Sequence, residues 1–286
     1  DIIGFHAFDH SRHFLNAAKR ILGYVSKTLQ GGMICLNVQD RECIVTMSHV
    51  SVEPQQMESI LNMEEVSVMT RKIREKHKGK KIVVGIDVCQ RLSGLSLKMA
   101  AFDKLLTDYA GNYINNDNMG EEGLSKIVLI QKAIRTGSRQ EDEETTSRDV
   151  KKMVQSMNER YSSALTSNNN NSASQPVLDY EEVSSVSMIE RVALYLAADV
   201  FLQTSVREGL NLMPLEYIFA RKGLPKAGIV IASEFSTCSS LLNGAIKVNP
   251  FYTLNVADAL DQALNLSQED CNARRLRDID FIGSHP

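Results

Sequence analysis

No apolar run in this chain approaches membrane-spanning length, and the N-terminus lacks the basic-then-apolar layout of a secretory signal. Both absences argue against a membrane role and favour action in the cytoplasm. A basic excess is missing too. A formal net charge of -3 and a pI near 6.1 argue against nucleic-acid binding, which usually shows a surplus of Lys and Arg. Five cysteines (Cys35, Cys43, Cys89, Cys238 and Cys271) are odd in number and scattered, without zinc-ligand spacing, so reduced thiols are expected rather than a disulfide framework. His6, His10 and His13 lie close together, but no carboxylate or cysteine completes a ligand set. They are expected to pack or cap, and no metal or cofactor is expected anywhere. No G-x-G-x-x-G follows any strand-like run, which disfavours a nucleotide-binding oxidoreductase. No internal repeat is evident.

What is present is the composition of a soluble globular protein, 43% hydrophobic and 23% charged over 286 residues, enough for one large domain or two small ones. The chain starts at Asp1 without methionine and is expected to be a fragment of something longer. Asp1–Phe5 reads as a strand, a helix follows from Asp9 to Gly23, and Met33–Asn37 with Glu42–Met47 reads as a hairpin. From Pro54 onwards the pattern is helical. Lys81–Asp87 is the clearest buried strand, continuous and β-branched, followed by a polar turn through Gln90–Gly94 and a helix. Further strands at Lys126–Ile130, Val177–Leu178, Gly228–Ala232 and Ala245–Pro250 alternate with helical stretches. That rhythm points to an α/β fold, a parallel sheet covered by helices on both faces. The acidic run Glu141–Glu144 reads as a solvated loop ahead of a helix from Asp149 to Arg160. The asparagine-rich stretch of about 162–175 reads as a disordered insert.

The stretch around which the rest is arranged is Arg207–Tyr217. The apolar segment Ala198–Thr204 before it reads as a buried strand, and the apolar residues after it as a helix with Pro214 in its first turn, where a missing N–H costs nothing. Strand, glycine-bearing turn and helix start put backbone N–H groups and a positive dipole end at a crevice mouth. Amides there can face a phosphate while Glu208 or Glu216 meets ligand hydroxyls. The same pattern also suits a tight turn at Gly209 with both glutamates solvated.

Three segments together resemble the trehalose-6-phosphate synthase family: Asp1-Ile2-Ile3-Gly4-Phe5-His6 through Phe14, Arg207-Glu208-Gly209-Leu210-Asn211-Leu212, and Ser233-Glu234-Phe235 followed by Asn243-Gly244-Ala245 and Val248-Asn249-Pro250. The resemblance implies the C-terminal, Rossmann-like half of a GT-B glycosyltransferase with an incomplete N-terminal domain: residues 1–61 a remnant of that domain, residues 62–286 the nucleotide-sugar domain. It further implies retaining transfer of glucose from UDP-glucose to glucose 6-phosphate without a metal, in trehalose biosynthesis. The Met213-Pro214 variant resembles members fused to a phosphatase domain. The absent N-terminal half and such a phosphatase domain would be the partners. A metal-dependent glycosyltransferase of the other major fold is disfavoured, since the one D-x-D, Asp278-Ile279-Asp280, follows a basic helical run and no core strand.

Residue by residue, the resemblance implies that Gly209, Leu210, Asn211 and Leu212 hold the donor phosphates and that Glu216 accepts from the uridine ribose. Glu208 stands near the donor sugar as the candidate catalytic residue, where the family usually has aspartate. The departure lies after Asp87. Val88 stands where the family has an arginine and Ser93 where it has a lysine, the two cations that stabilise the departing diphosphate. Their replacement raises an alternative: a catalytically degenerate, regulatory domain that binds sugar phosphates or partners.

Overall fold

The computed structural model describes residues 1–48, 50–115, 126–166 and 176–284. The chain divides into two compact units, Asp1–Ser51 and Val52–Pro286. The division falls earlier than the boundary expected at residue 61. Val52, Met57 and Ile60 are buried in the core of the second unit, so the helix bearing two of them belongs there.

In the first unit, β1 (Ile2–Phe5), α1 (Phe8–Leu22), β2 (Ser26–Thr28), β3 (Ile34–Val38) and β4 (Arg41–Met47) form a four-stranded sheet with one helix. The strand order is β1-β4-β3-β2, with β1 parallel to β4 and the other pairs antiparallel. The expected hairpin is β3–β4, and β2 is an addition that its exposed Ser-Lys-Thr sequence did not announce. Leu36, Cys43 and Val45 meet Ala18 and Phe14 of α1 in a small core. His6, His10 and His13 are all exposed, so the expectation that they pack is corrected: α1 turns its apolar stripe to the sheet and leaves its histidines in solvent.

The second unit opens with α2 (Pro54–Leu61) and α3 (Glu64–Lys76). It then runs β5 (Lys81–Val88), α4 (Leu95–Asn115), β6 (Ile127–Ile134), α5 (Gln140–Thr166), β7 (Leu178–Val183), α6 (Met188–Ala197) and β8 (Val200–Leu202). The chain continues through α7 (Met213–Ala220), β9 (Ile229–Ser233), α8 (Thr237–Leu241) and β10 (Ile246–Val248) to α9 (Thr253–Asn265) and α10 (Gln268–Ser284). The six strands are parallel, in the order β10-β9-β8-β5-β6-β7. Alternate residues of β5 serve opposite faces. Ile82, Val84 and Ile86 pack with α3, α6 and α7, while Val83 packs with α4, α5 and α9. The chain builds outward from β5 to β6 and β7, then crosses back to lay β8 on the other side of β5. That reversal is a switch point, and the carboxyl ends of β5 and β8 open onto it. Among the described residues, no helix is long and apolar enough to cross a membrane.

The acidic run is no loop. Glu141, Asp142 and Glu143 form the first turn of α5, where the helix dipole favours negative charge. Buried Glu143 also accepts from Thr136 Oγ1 at 2.7 Å and Gly137 N at 3.0 Å, bonds that pull its carboxyl below the usual range. The same helix runs to Thr166, into the expected insert; residues 167–175 lie outside the described ones.

At the far end of the sheet, Asp179 of β7 receives the end of α3. Nε2 of His77 lies 3.3 Å and Nζ of Lys76 2.5 Å from its Oδ2, and together they pull its carboxyl down to about 2. A depressed carboxyl contributes stability above its ordinary pKa and loses it as pH falls through the folded value. Asp179→Asn is therefore expected to cost about 1–2 kcal/mol at pH 7. In urea unfolding, the gap from the wild type should narrow as pH drops from about 4 towards 2.

Candidate functional site

Beneath the switch point lies a buried ion pair. Lys98, near the start of α4 and fully buried, donates to Asp87 Oδ2 at 2.5 Å and to the carbonyl of Leu202 at 2.8 Å. Gln131 of β6 donates to the same Asp87 oxygen at 2.8 Å. The pair thus ties the ends of β5 and β8, and the middle of β6, to the first turn of α4. Above it the two crossover loops touch. Val206 N donates to Leu92 O at 2.9 Å, and Gly94 presses against Thr204, whose carbonyl oxygen would lie 2.0 Å from any Cβ at position 94. Gly94 also has φ +69°, so glycine is required here on two counts.

Val88 closes β5, paired with Ile134 at the last rung of β5–β6, and the turn after it carries Ser93, in a single 3-10 turn over Arg91–Ser93. Neither supplies positive charge. Arg91, the one cation in this turn, is exposed and engages Asp142 of α5 through its backbone N at 3.3 Å and its Nε at 3.6 Å.

The loop after β8 carries the glycine-bearing stretch. Gly209 is exposed, and Leu210, Asn211 and Leu212 are half-buried on the approach to α7. Asn211 Oδ1 accepts Met213 N at 2.9 Å, which satisfies the first amide of the helix, and Pro214 sits in the first turn as expected. The N–H groups of Leu210 and Leu212 have no partner among the described residues. Glu208 is half-buried and turned into the protein. Gln203 Nε2 donates to its Oε2, as do Ser205 Oγ at 3.0 Å and Ser236 Oγ at 3.4 Å, while Asn211 Nδ2 donates to Oε1 at 3.0 Å. Burial, and then the negative charge of Asp87, push this carboxyl above its ordinary range.

Glu216, a turn inside α7, is buried too. Tyr195 OH donates to Oε2 at 2.9 Å and Arg191 Nη2 to Oε1 at 3.3 Å, both from α6. Burial, with the charge of Glu216 second, raises the Tyr195 phenol well above its usual value. Sequence reasoning found the loop and its two carboxylates but missed their partners. Arg191 and Tyr195, four apart on one face of α6, were a readable signal. Gln203, Ser236 and Lys98 gave none.

The remaining motifs turn out to be ties between strand ends. Glu234 N donates to Val248 O at 2.9 Å, and Asn249 Nδ2 to Glu234 Oε1 at 2.6 Å, joining the ends of β9 and β10. Asp278, first of the D-x-D, is buried and accepts Asn243 N at 2.7 Å and Gly244 N at 2.9 Å. Gly244 lies so close to α10 that a Cβ would sit 2.2 Å from Arg274 O.

A doubly wound parallel sheet with a glycine-bearing loop and helix start at its switch point is a Rossmann-like α/β arrangement. The sequence matches the model of glycosyltransferase family 20 over residues 1–285, and the chain belongs to that family. A probable alpha,alpha-trehalose-phosphate synthase (UDP-forming) of Arabidopsis thaliana is 33% identical over 301 residues, covering all of this chain and 32% of the relative. An alpha,alpha-trehalose-phosphate synthase from Burkholderia xenovorans, in complex with glucose-6-phosphate, superposes with a TM-score of 0.82 at 20% identity, over 99% of this chain and 57% of that one. The N-terminal domain of Candida albicans trehalose-6-phosphate phosphatase does so with 0.75 at 24% identity, over 100% and 58%. These two likenesses show the fold. The chain spans about a third of the length of the curated relatives it matches.

Because Lys98 is the one cation paired with buried Asp87 among the described residues, Lys98→Met should strand that carboxylate and cost about 3–5 kcal/mol in chemical denaturation. Lys98→Met with Asp87→Leu, which removes both charges, is expected to recover much of the loss.

Proposed function

We propose that the chain is the donor-nucleotide part of a trehalose-phosphate synthase-type glucosyltransferase, which transfers glucose from UDP-glucose to glucose 6-phosphate with retention. The observation that carries this reading is that the amides of Leu210 and Leu212, in the loop between β8 and α7, have no partner among the described residues. They are neutral donors suited to a diphosphate, and membership of glycosyltransferase family 20 supplies the sugar-nucleotide context. The Arabidopsis relatives, whose names include UDP-forming synthase activity, support the same substrates. In this reading residues 1–51 are the tail of an N-terminal domain carried by a longer protein, a phosphatase domain can follow, and the protein works in the cytoplasm. Gly209, Leu210, Asn211 and Leu212 hold the donor phosphates. Glu216, set by Arg191 and Tyr195, shapes the ribose side, and Glu208 stands behind the donor sugar.

A second reading, a regulatory domain that binds but scarcely turns over, is favoured by one observation. Val88 and Ser93 bring no charge to the strand end, and Arg91 is committed to Asp142. Losing electrostatic donors of this kind costs about 100-fold or more in rate each.

Calorimetric titration with UDP tests the first half of the proposal. Binding is expected, and Glu216→Gln should weaken it about tenfold, in line with one lost charge-assisted contact. No binding by a chain shown folded by circular dichroism would remove the donor-site reading. Turnover is tested in a protein that carries a complete N-terminal domain. Val88→Arg with Ser93→Lys should raise the transfer rate by about 100-fold or more if lost phosphate charge limits it. An unchanged rate would reject that explanation.

A further inference from the structure

We propose that Gln203 and Ser236, at the ends of β8 and β9, are positioning residues for the donor loop: they hold the Glu208 carboxylate turned inward, where it sets Asn211 and, through it, the start of α7. The inference rests on the donor-site reading and deepens it.

The bonds form a continuous relay. Glu208 Oε2 takes Gln203 Nε2, Ser205 Oγ and Ser236 Oγ; Oε1 takes Asn211 Nδ2; and Asn211 Oδ1 takes Met213 N. Three of the four donors converge on Oε2 and one on Oε1, so the protein holds the inner oxygen fully and Oε1 keeps one acceptor site. Glutamate is what makes this reach possible. One methylene more than aspartate carries the carboxylate from the loop to the end of β9, where Glu208 also makes an isolated parallel bridge to Ser236.

The orientation of the Gln203 amide is fixed from behind. Its side chain is buried, its backbone N donates to Ile231 O at 2.9 Å, and its Oε1 accepts from Cys238 Sγ at 3.1 Å. Burial pushes the Cys238 thiol up to about 12, so it remains a donor across the working pH range. Because the Glu208 carboxylate only accepts, the amide turns its NH2 group to Glu208 and, at 3.2 Å, to Ser236 Oγ, and its oxygen to the thiol, which also lies 3.2 Å from Ser236 Oγ. A flipped amide would set oxygen against oxygen at Glu208. Gln203 is thus a one-way support, and the loop amides inherit its direction.

The test is calorimetric titration of UDP into the 286-residue chain as wild type, Gln203→Glu and Ser236→Ala, at pH 8 and pH 5.5, with melting temperatures recorded alongside. Gln203→Glu keeps an acceptor for Cys238 but sets a second carboxylate against Glu208. At pH 8 its UDP affinity should fall roughly tenfold to hundredfold relative to the wild type. At pH 5.5 the pair takes up a proton and bonds again, so most of the loss should be recovered relative to the wild type at the same pH. A residue that only supports the fold would give the same ratio at both pH values, and that result overturns the proposal. Should Gln203→Glu fail to fold, Ser236→Ala carries the test, with an expected weakening of roughly threefold to tenfold at a near-wild-type melting temperature. Equal affinity of wild type and Ser236→Ala then overturns it. A folded wild type that binds no UDP overturns the donor-site reading itself and the proposal with it. Binding that is indifferent to these variants overturns the proposal alone.

Discussion

The ion pair between Asp87 and Lys98 is the constraint on which the second unit depends. Burying two charges costs several kcal/mol per ion unless each finds close partners, and here the partners come from every element at the switch point. Asp87 lies near the end of β5, Lys98 at the head of α4, the Leu202 carbonyl at the end of β8, and Gln131 on β6. None of these groups can be satisfied unless all four elements are in register. The pair therefore adds little net stability of its own but penalises any arrangement in which β8 slips along β5, a pairing only two rungs long. Its negative member also acts at a distance, since the charge of Asp87 helps to raise the Glu208 carboxyl in the loop above.

The architecture was legible because the strands of a parallel sheet buried on both faces are continuous apolar runs. Ile82–Ile86 and Ile229–Ala232 could hardly be anything else. Glu141–Glu144 misled because charge content records solvation and says little about backbone state. One side of that turn is wet, while Glu143 is buried as a cap on its own loop. The boundary expected at residue 61 and the division of the compact units after Ser51 differ for a similar reason. The apolar stripe of Pro54–Leu61 signals a helix but does not reveal which of two cores the stripe enters.

Less of the site could be read. The loop of Gly209–Leu212 and both carboxylates were visible as a pattern, since turn chemistry and helix starts are local. Where each carboxylate points is not local. Glu216 is claimed by Arg191 and Tyr195, and Glu208 by residues that follow two different strands, Gln203 after β8 and Ser236 after β9; these are contacts between segments that only the assembled sheet brings together. The motif Asn243-Gly244-Ala245 shows the same limit from the other side. It resembles part of a functional signature, and its glycine and amides are spent on packing against α10.

That last contact has a consequence for the order in which the protein is made. The amides of Asn243 and Gly244 find their acceptor in Asp278, which is synthesised more than thirty residues later. As the chain leaves the ribosome, β10 emerges with the turn before it still unanchored, and β10 is an edge strand of the sheet. At roughly 5–20 residues per second, that open edge stands without its clamp for seconds, a window in which a chaperone or a neighbouring nascent chain can reach it.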